Sequence, residues 1–149
     1  MWLRLRKNFD SRVKRGTHMI ICVCGLIAAG KTTFAEKQDG VVSDFDFIGS
    51  KEGQILFTLE NHRRDRTVYH ITCYPTADEL RTFKKLDVKY VWINTTFSQC
   101  RKNIFARKRE RDINNIEETL LANEEILRRY LSSDIDFEVV DVFKNEEKW

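Results

Sequence analysis

The residues Met19-Ile20-Ile21-Cys22-Val23-Cys24 form an unbroken apolar run, the pattern of a strand covered on both faces, as in a parallel sheet. A Gly/Ala-rich segment ends the run, and Thr33-Phe34-Ala35-Glu36-Lys37 continues as a short helix that Asp39-Gly40 stops. Val41-Val42-Ser43-Asp44-Phe45 predicts a second strand ending in acids, and residues 51–64 predict a helix with Ile55, Leu56, Leu59 and His62 at helical spacing. The β-branched and aromatic stretch 67–73 predicts a third strand, ended by Pro75. Thr76-Ala77-Asp78-Glu79 has the form of a capping box for a helix that turns Leu80, Phe83 and Leu86 inward. A fourth strand is predicted at 89–93, helical segments at 97–108 and 116–131, and a fifth strand at 137–142.

Strands alternating with helices predict an α/β fold with a central parallel five-stranded sheet covered on both faces. Ligands of such sheets gather at the carboxyl ends of the strands. Residues 25–33, 44–46 and 74–76 follow strand carboxyl ends and should share that rim. The basic cluster His62-Arg63-Arg64-Asp65-Arg66 precedes the third strand, so it should lie at the opposite rim as solvated surface.

A length of 149 residues fits one domain with a core of its own, and a single Pro with six Gly leaves no room for a low-complexity linker. Cys22, Cys24, Cys73 and Cys100 have neither the density nor the spacing of a disulfide framework or a zinc site. A reducing, cytoplasmic setting is the expectation. No apolar stretch approaches the length of a bilayer span, so no membrane partner is expected. The net charge of +3 is unevenly spread: residues 1–18 hold six Lys/Arg against Asp10, which leaves 20 basic and 22 acidic residues in the rest. Arg15-Gly16-Thr17-His18-Met19 resembles the remnant of a protease-cleavable tag. Residues 1–18 are therefore expected to be a tag-derived or disordered leader before a single domain at 19–149, with a basic arm for nucleic acid as the alternative.

Chemistry enters with Gly25-Leu26-Ile27-Ala28-Ala29-Gly30-Lys31-Thr32, a complete G-x-x-x-x-G-K-S/T phosphate-binding loop between the first strand and the first helix. Such a loop aims backbone N–H groups at a phosphate chain, and Gly25 and Gly30 supply the turns. Lys31 would reach the β- and γ-phosphates, Thr32 would ligate Mg²⁺, and Thr33 would extend the contact into the helix. Asp44 and Asp46 follow the second strand, where one acid can serve Mg²⁺ and the other an acceptor hydroxyl. Asp46 is the preferred base and Asp44 the preferred metal-side acid, and a plain helix cap is the competing explanation for the pair. Arg107, Arg109 and Arg111 lie in the charged run 107–112 and would form a short lid that closes over transferred charge.

Together, residues 25–33, Asp44-Phe45-Asp46 and Arg107 to Asp112 resemble the small P-loop kinases: shikimate and gluconate kinases, nucleoside monophosphate kinases and phage polynucleotide-kinase-like proteins. The likeness spans nearly all of the chain from Met19, and its specific motif is the phosphate loop. It implies a three-layer P-loop NTPase fold with an Arg-rich lid, ATP or another NTP with Mg²⁺ as cofactors, and transfer of the γ-phosphate to a small acceptor. A polynucleotide acceptor is less favoured, because Phe47-Ile48-Gly49 stands where those kinases carry an Arg after the acid. The third strand ends in Ile71-Thr72-Cys73-Tyr74-Pro75, without a Walker-B-type acid. That departure keeps open a nucleotide-binding module without kinase activity.

Overall fold

A strand with no polar side chain is stable only where both its faces are covered. β1 (Ile20–Cys24) meets that condition at the centre of the sheet, with every one of its residues buried. A computed structural model describes residues 19–107, 110 and 114–143. Residues 1–18, and Lys108, Arg109, Arg111 and Asp112 of the arginine-rich run, lie outside the described residues. After β1 come α1 (Lys31–Glu36), β2 (Val41–Ser43), α2 (Phe45–Ile48), α3 (Lys51–Arg63) and β3 (Val68–Ile71). They are followed by α4 (Ala77–Phe83), β4 (Val88–Ile93), α5 (Phe97–Arg107), α6 (Ile116–Leu131) and β5 (Phe137–Val140).

The five strands form one sheet in the order β2-β3-β1-β4-β5, and every pairing is parallel. The expected α/β architecture with a parallel five-stranded sheet is therefore present. Strand order departs from β1 in both directions, toward β3 on one side and β4 on the other, which opens a crevice at the carboxyl ends. Two bonds continue the β1–β3 pairing to that edge: Thr72 N–H donates to the Val23 carbonyl, and Gly25 N–H to the Cys73 carbonyl, each at 3.0 Å. On the other side Trp92 of β4 stacks on Tyr130 of α6, with ring centroids 3.9 Å apart and planes within 6°. Phe137 of β5 meets both rings obliquely, so α6 is seated against the sheet by aromatic packing. Among the described residues no helix is long and apolar enough to cross a membrane.

α3 turns a different face inward from the one its apolar spacing predicts, and α4, which buries Phe83 as expected, departs in part. α3 buries Gln54, Thr58 and Asn61, whereas Leu56 is 61% exposed. Its inner face is polar because it lies over the ends of β2 and β3 and bonds to them: Gln54 Nε2 donates to the Ser43 and Ile71 carbonyls at 3.0 and 2.7 Å. In α4 the capping box forms as predicted, but Glu79 is buried with Phe83 while Leu80 is exposed. The second strand also stops earlier than predicted. Ser43 is its last residue, and Asp44 caps α2, its Oδ1 accepting from Asp46 N–H at 3.0 Å.

Candidate functional site

Residues 25–30 leave β1 and turn back into α1. Gly30 holds a left-handed conformation (φ 99°) and Ala28 another (φ 70°). Gly25 is different from the expectation that it supplies a left-handed turn: it permits close packing, since a Cβ there would stand 3.2 Å from the Ile93 carbonyl oxygen. Left-handed alanine costs about 1–2 kcal/mol, so something must hold the loop in shape.

Side chains from the far half of the chain do so. Asn123 of α6, fully buried, accepts from Ile27 N–H at 2.7 Å through Oδ1 and donates to the Ile27 carbonyl at 3.2 Å through Nδ2. Asn103 Nδ2 of α5 donates to the Ala28 carbonyl at 2.9 Å, and Thr95 Oγ1 to the Ala29 carbonyl at 2.7 Å. Three consecutive loop carbonyls are thus tied from behind. None of these three residues is marked in the sequence, because each acts through the fold and not through a motif.

Lys31 lies over the loop, its ammonium donating to the Gly25 and Leu26 carbonyls at 3.1 and 2.5 Å, with Cys73 Sγ at 3.7 Å. Cys73 occupies the strand end from which an acid is absent. Thr32 Oγ1 donates to Asp44 Oδ2 at 3.2 Å, so the two residues proposed to serve Mg²⁺ are in contact. Asp44 is buried and divides its carboxylate between two tasks: Oδ1 caps α2 and Oδ2 faces Thr32. The cap and the site are compatible uses of one side chain.

A cavity of about 690 Å³ opens in front of these residues. Ile27, Ala28, Ala29, Gly30, Lys31, Thr32 and Thr33 line it, as do Asp44, Asp46 and Arg107. Gly25 and Leu26 do not border it, and Arg109 and Arg111 of the expected lid are outside the described residues. The donor set suits a triphosphate with Mg²⁺: a lysine, a hydroxyl beside a carboxylate, and the first-turn N–H groups of α1, which lack intrahelical partners.

Lys51 and Thr72, which belong to no sequence motif, also line the cavity, as does Thr76. Lys51 Nζ, at the start of α3, donates to Glu79 Oε2 at 2.8 Å, Gln54 Oε1 at 2.9 Å and Thr72 Oγ1 at 3.3 Å. Behind it, fully buried Glu79 pairs with His70 Nε2 at 2.6 Å, and His70 Nδ1 meets Thr58 Oγ1 at 2.7 Å. Thr58 in turn donates to Ser43 Oγ at 2.7 Å. Burial by itself would raise the Glu79 carboxyl, but the hydrogen bonds and charge of His70, the bond from Lys51 and the Thr76 N–H outweigh it and hold the pKa at about 2. Burial lowers His70, against the pull of Glu79. Glu79 is therefore an anion at physiological pH. In the sequence Glu79 is marked only as the N3 residue of the capping box, and Lys51 only by opening a helix whose dipole disfavours a cation there.

No protein-family model and no curated protein matches this chain, and its function is therefore to be read from the site itself.

Proposed function

We propose that the chain is a cytoplasmic P-loop phosphotransferase that moves the γ-phosphate of ATP, or of another NTP, to a small acceptor with Mg²⁺. The observation that carries this reading is the contact between Thr32 Oγ1 and Asp44 Oδ2 in a cavity that Lys31 and Asp46 also line. A three-layer P-loop NTPase fold, with an arginine-rich lid at 107–112, belongs to the same proposal.

Each residue then has a separable task. Residues 27–33, Lys31 among them, would hold the triphosphate, and Thr32 with Asp44 would hold Mg²⁺, which would supply charge neutralisation to the phosphates. Asp46 accepts the proton of an acceptor hydroxyl. Arg107 lines the cavity and offsets charge on the transferred group. A nucleotide or polynucleotide 5′-kinase is the second reading, favoured by Phe45, which is 40% exposed and borders the cavity as a stacking face for a base.

The test couples binding to turnover. ATP affinity is measured with and without Mg²⁺, and phosphoryl transfer is followed on sugars, nucleosides, mononucleotides and 5′-hydroxyl oligonucleotides. Transfer to one class identifies the acceptor. Tight ATP binding with no transfer to any acceptor supports a nucleotide-binding module, and no ATP binding overturns the proposal.

A further inference from the structure

Lys51 is placed against local preference. A cation in the first turn of a helix opposes the dipole, and Glu52 beside it is the residue type that position favours. Departures of this kind collect at functional positions. Here the ammonium is fixed by a carboxylate of zero exposure, while the lysine side chain keeps 32% of its surface accessible and borders the cavity. We propose that Lys51 binds an oxyanion, a carboxylate or a phosphate carried by the acceptor molecule, while the acceptor's hydroxyl faces Asp46.

Charge and geometry agree on this. Glu79 stands behind Lys51, where His70 and the Thr76 N–H share its charge at 2.6 and 2.9 Å. The ion pair consequently presents its positive end to the cavity. An arriving anion is nearer to the ammonium than to the carboxylate, so attraction exceeds repulsion. Of the three bonds made by the ammonium, the one to Thr72 is the longest at 3.3 Å, and that hydroxyl has a second partner in the Tyr74 carbonyl at 3.4 Å. An oxyanion can replace Thr72 without stranding it. Lys51 itself lies in the first turn of the thirteen-residue α3, whose N-terminal end carries partial positive charge. Asp44 does not compete for this role, being engaged by Thr32 and by Asp46 N–H.

The inference rests on the kinase reading for the identity of the ligand as acceptor, and it can be tested apart from it. With the triphosphate site saturated by Mg²⁺ and the ATP analogue AMP-PNP, calorimetric titration with inorganic phosphate and with acetate reports anion binding beyond that site. Binding is expected in the wild type, weakened about tenfold or more in Lys51→Met and retained in Lys51→Arg. Since Lys51→Met leaves Glu79 without its cation, the double variant Lys51→Met/Glu79→Gln provides a comparison in which no buried charge is stranded. Tighter phosphate binding points to a phosphorylated acceptor, and tighter acetate binding to a carboxylic one. Absence of anion binding in the wild type, or equal affinity in the charge-removing variants, overturns the proposal. Failure of AMP-PNP to bind counts against the kinase reading alone. The same titration on Lys31→Ala, which lacks the loop lysine, then decides the role of Lys51.

Discussion

The two walls of the cavity are built by different means. The loop wall offers backbone groups of one short segment, and side chains serve it from behind: Asn123, Asn103 and Thr95 tie the carbonyls of Ile27, Ala28 and Ala29. The other wall offers side chains drawn from separate elements, Lys51 from α3 and Thr72 after β3, with buried Glu79 of α4 bonded to Lys51 behind them. A backbone cradle suits a group that many molecules share, such as a phosphate chain. A side-chain wall can change by single substitutions, which suits the part of a site that distinguishes one acceptor from another.

Mutation should separate the walls, beginning with the largest effect. Under the kinase reading, Asp46→Asn should lower turnover by about 10²–10⁴-fold, the usual worth of a positioned base, and leave ATP affinity within about twofold. Retained turnover would remove Asp46 from the mechanism. Lys31→Ala should cost about 10²–10³-fold in turnover and weaken ATP binding as well, which places the change on the other wall. A steady-state comparison of the two variants shows whether donor and acceptor functions divide as described.

Acid should act on the side-chain wall. Glu79 titrates at about 2 in the folded protein against 4.5 for the unperturbed group. Its contribution is complete above the unfolded value and is lost as pH falls through the folded one. His70, lowered from 6.5, acts in the same sense: the unfolded chain binds its proton more readily, so stability declines as pH drops below 6.5. Urea unfolding measured across this range should show the decline, and Glu79→Gln should flatten its lower limb. A wild-type stability that is level between pH 4.5 and 2 would contradict an ionised Glu79 in the folded protein.

The smallest effect concerns the supports of the loop. Asn123→Ala leaves Ile27 N–H and carbonyl without their side-chain partner, at a cost of about 1–3 kcal/mol in unfolding free energy. ATP affinity should fall about tenfold as the loop loses its shape, an order-of-magnitude expectation from the same lost bonds. Asn123→Asp, which sets a buried carboxylate oxygen against the Ile27 carbonyl in place of the amide donor, should cost at least as much as alanine. Unchanged affinity in both would mean that residues 25–30 hold their conformation without α6.

The loop wall was legible in the sequence because its chemistry lies in consecutive residues between a buried strand and a helix. Parallel β1 could likewise be read from five residues without a polar side chain. The side-chain wall was not, because apolar spacing assigns helix faces on the premise that polar residues point outward. Gln54, Thr58 and Asn61 violate that premise in α3, each by hydrogen bonding inward or along the helix. Glu79 could be recognised as a cap, but its second role depends on His70 nine residues earlier and Lys51 twenty-eight earlier, pairings that only the sheet order creates. Asp44, expected at the end of the second strand, instead follows it and caps α2. One carboxylate performs the capping and faces Thr32 as well.

The stack of Trp92 on Tyr130 gives the protein an optical reporter of its own. Trp92 is 2% exposed, and its ring lies flat against the helix whose Asn123 holds Ile27. With Trp2 and Trp149 replaced by Phe, the emission of the remaining indole would follow the seating of α6. Stopped-flow fluorescence on mixing with ATP would then time any shift of that helix without an attached dye.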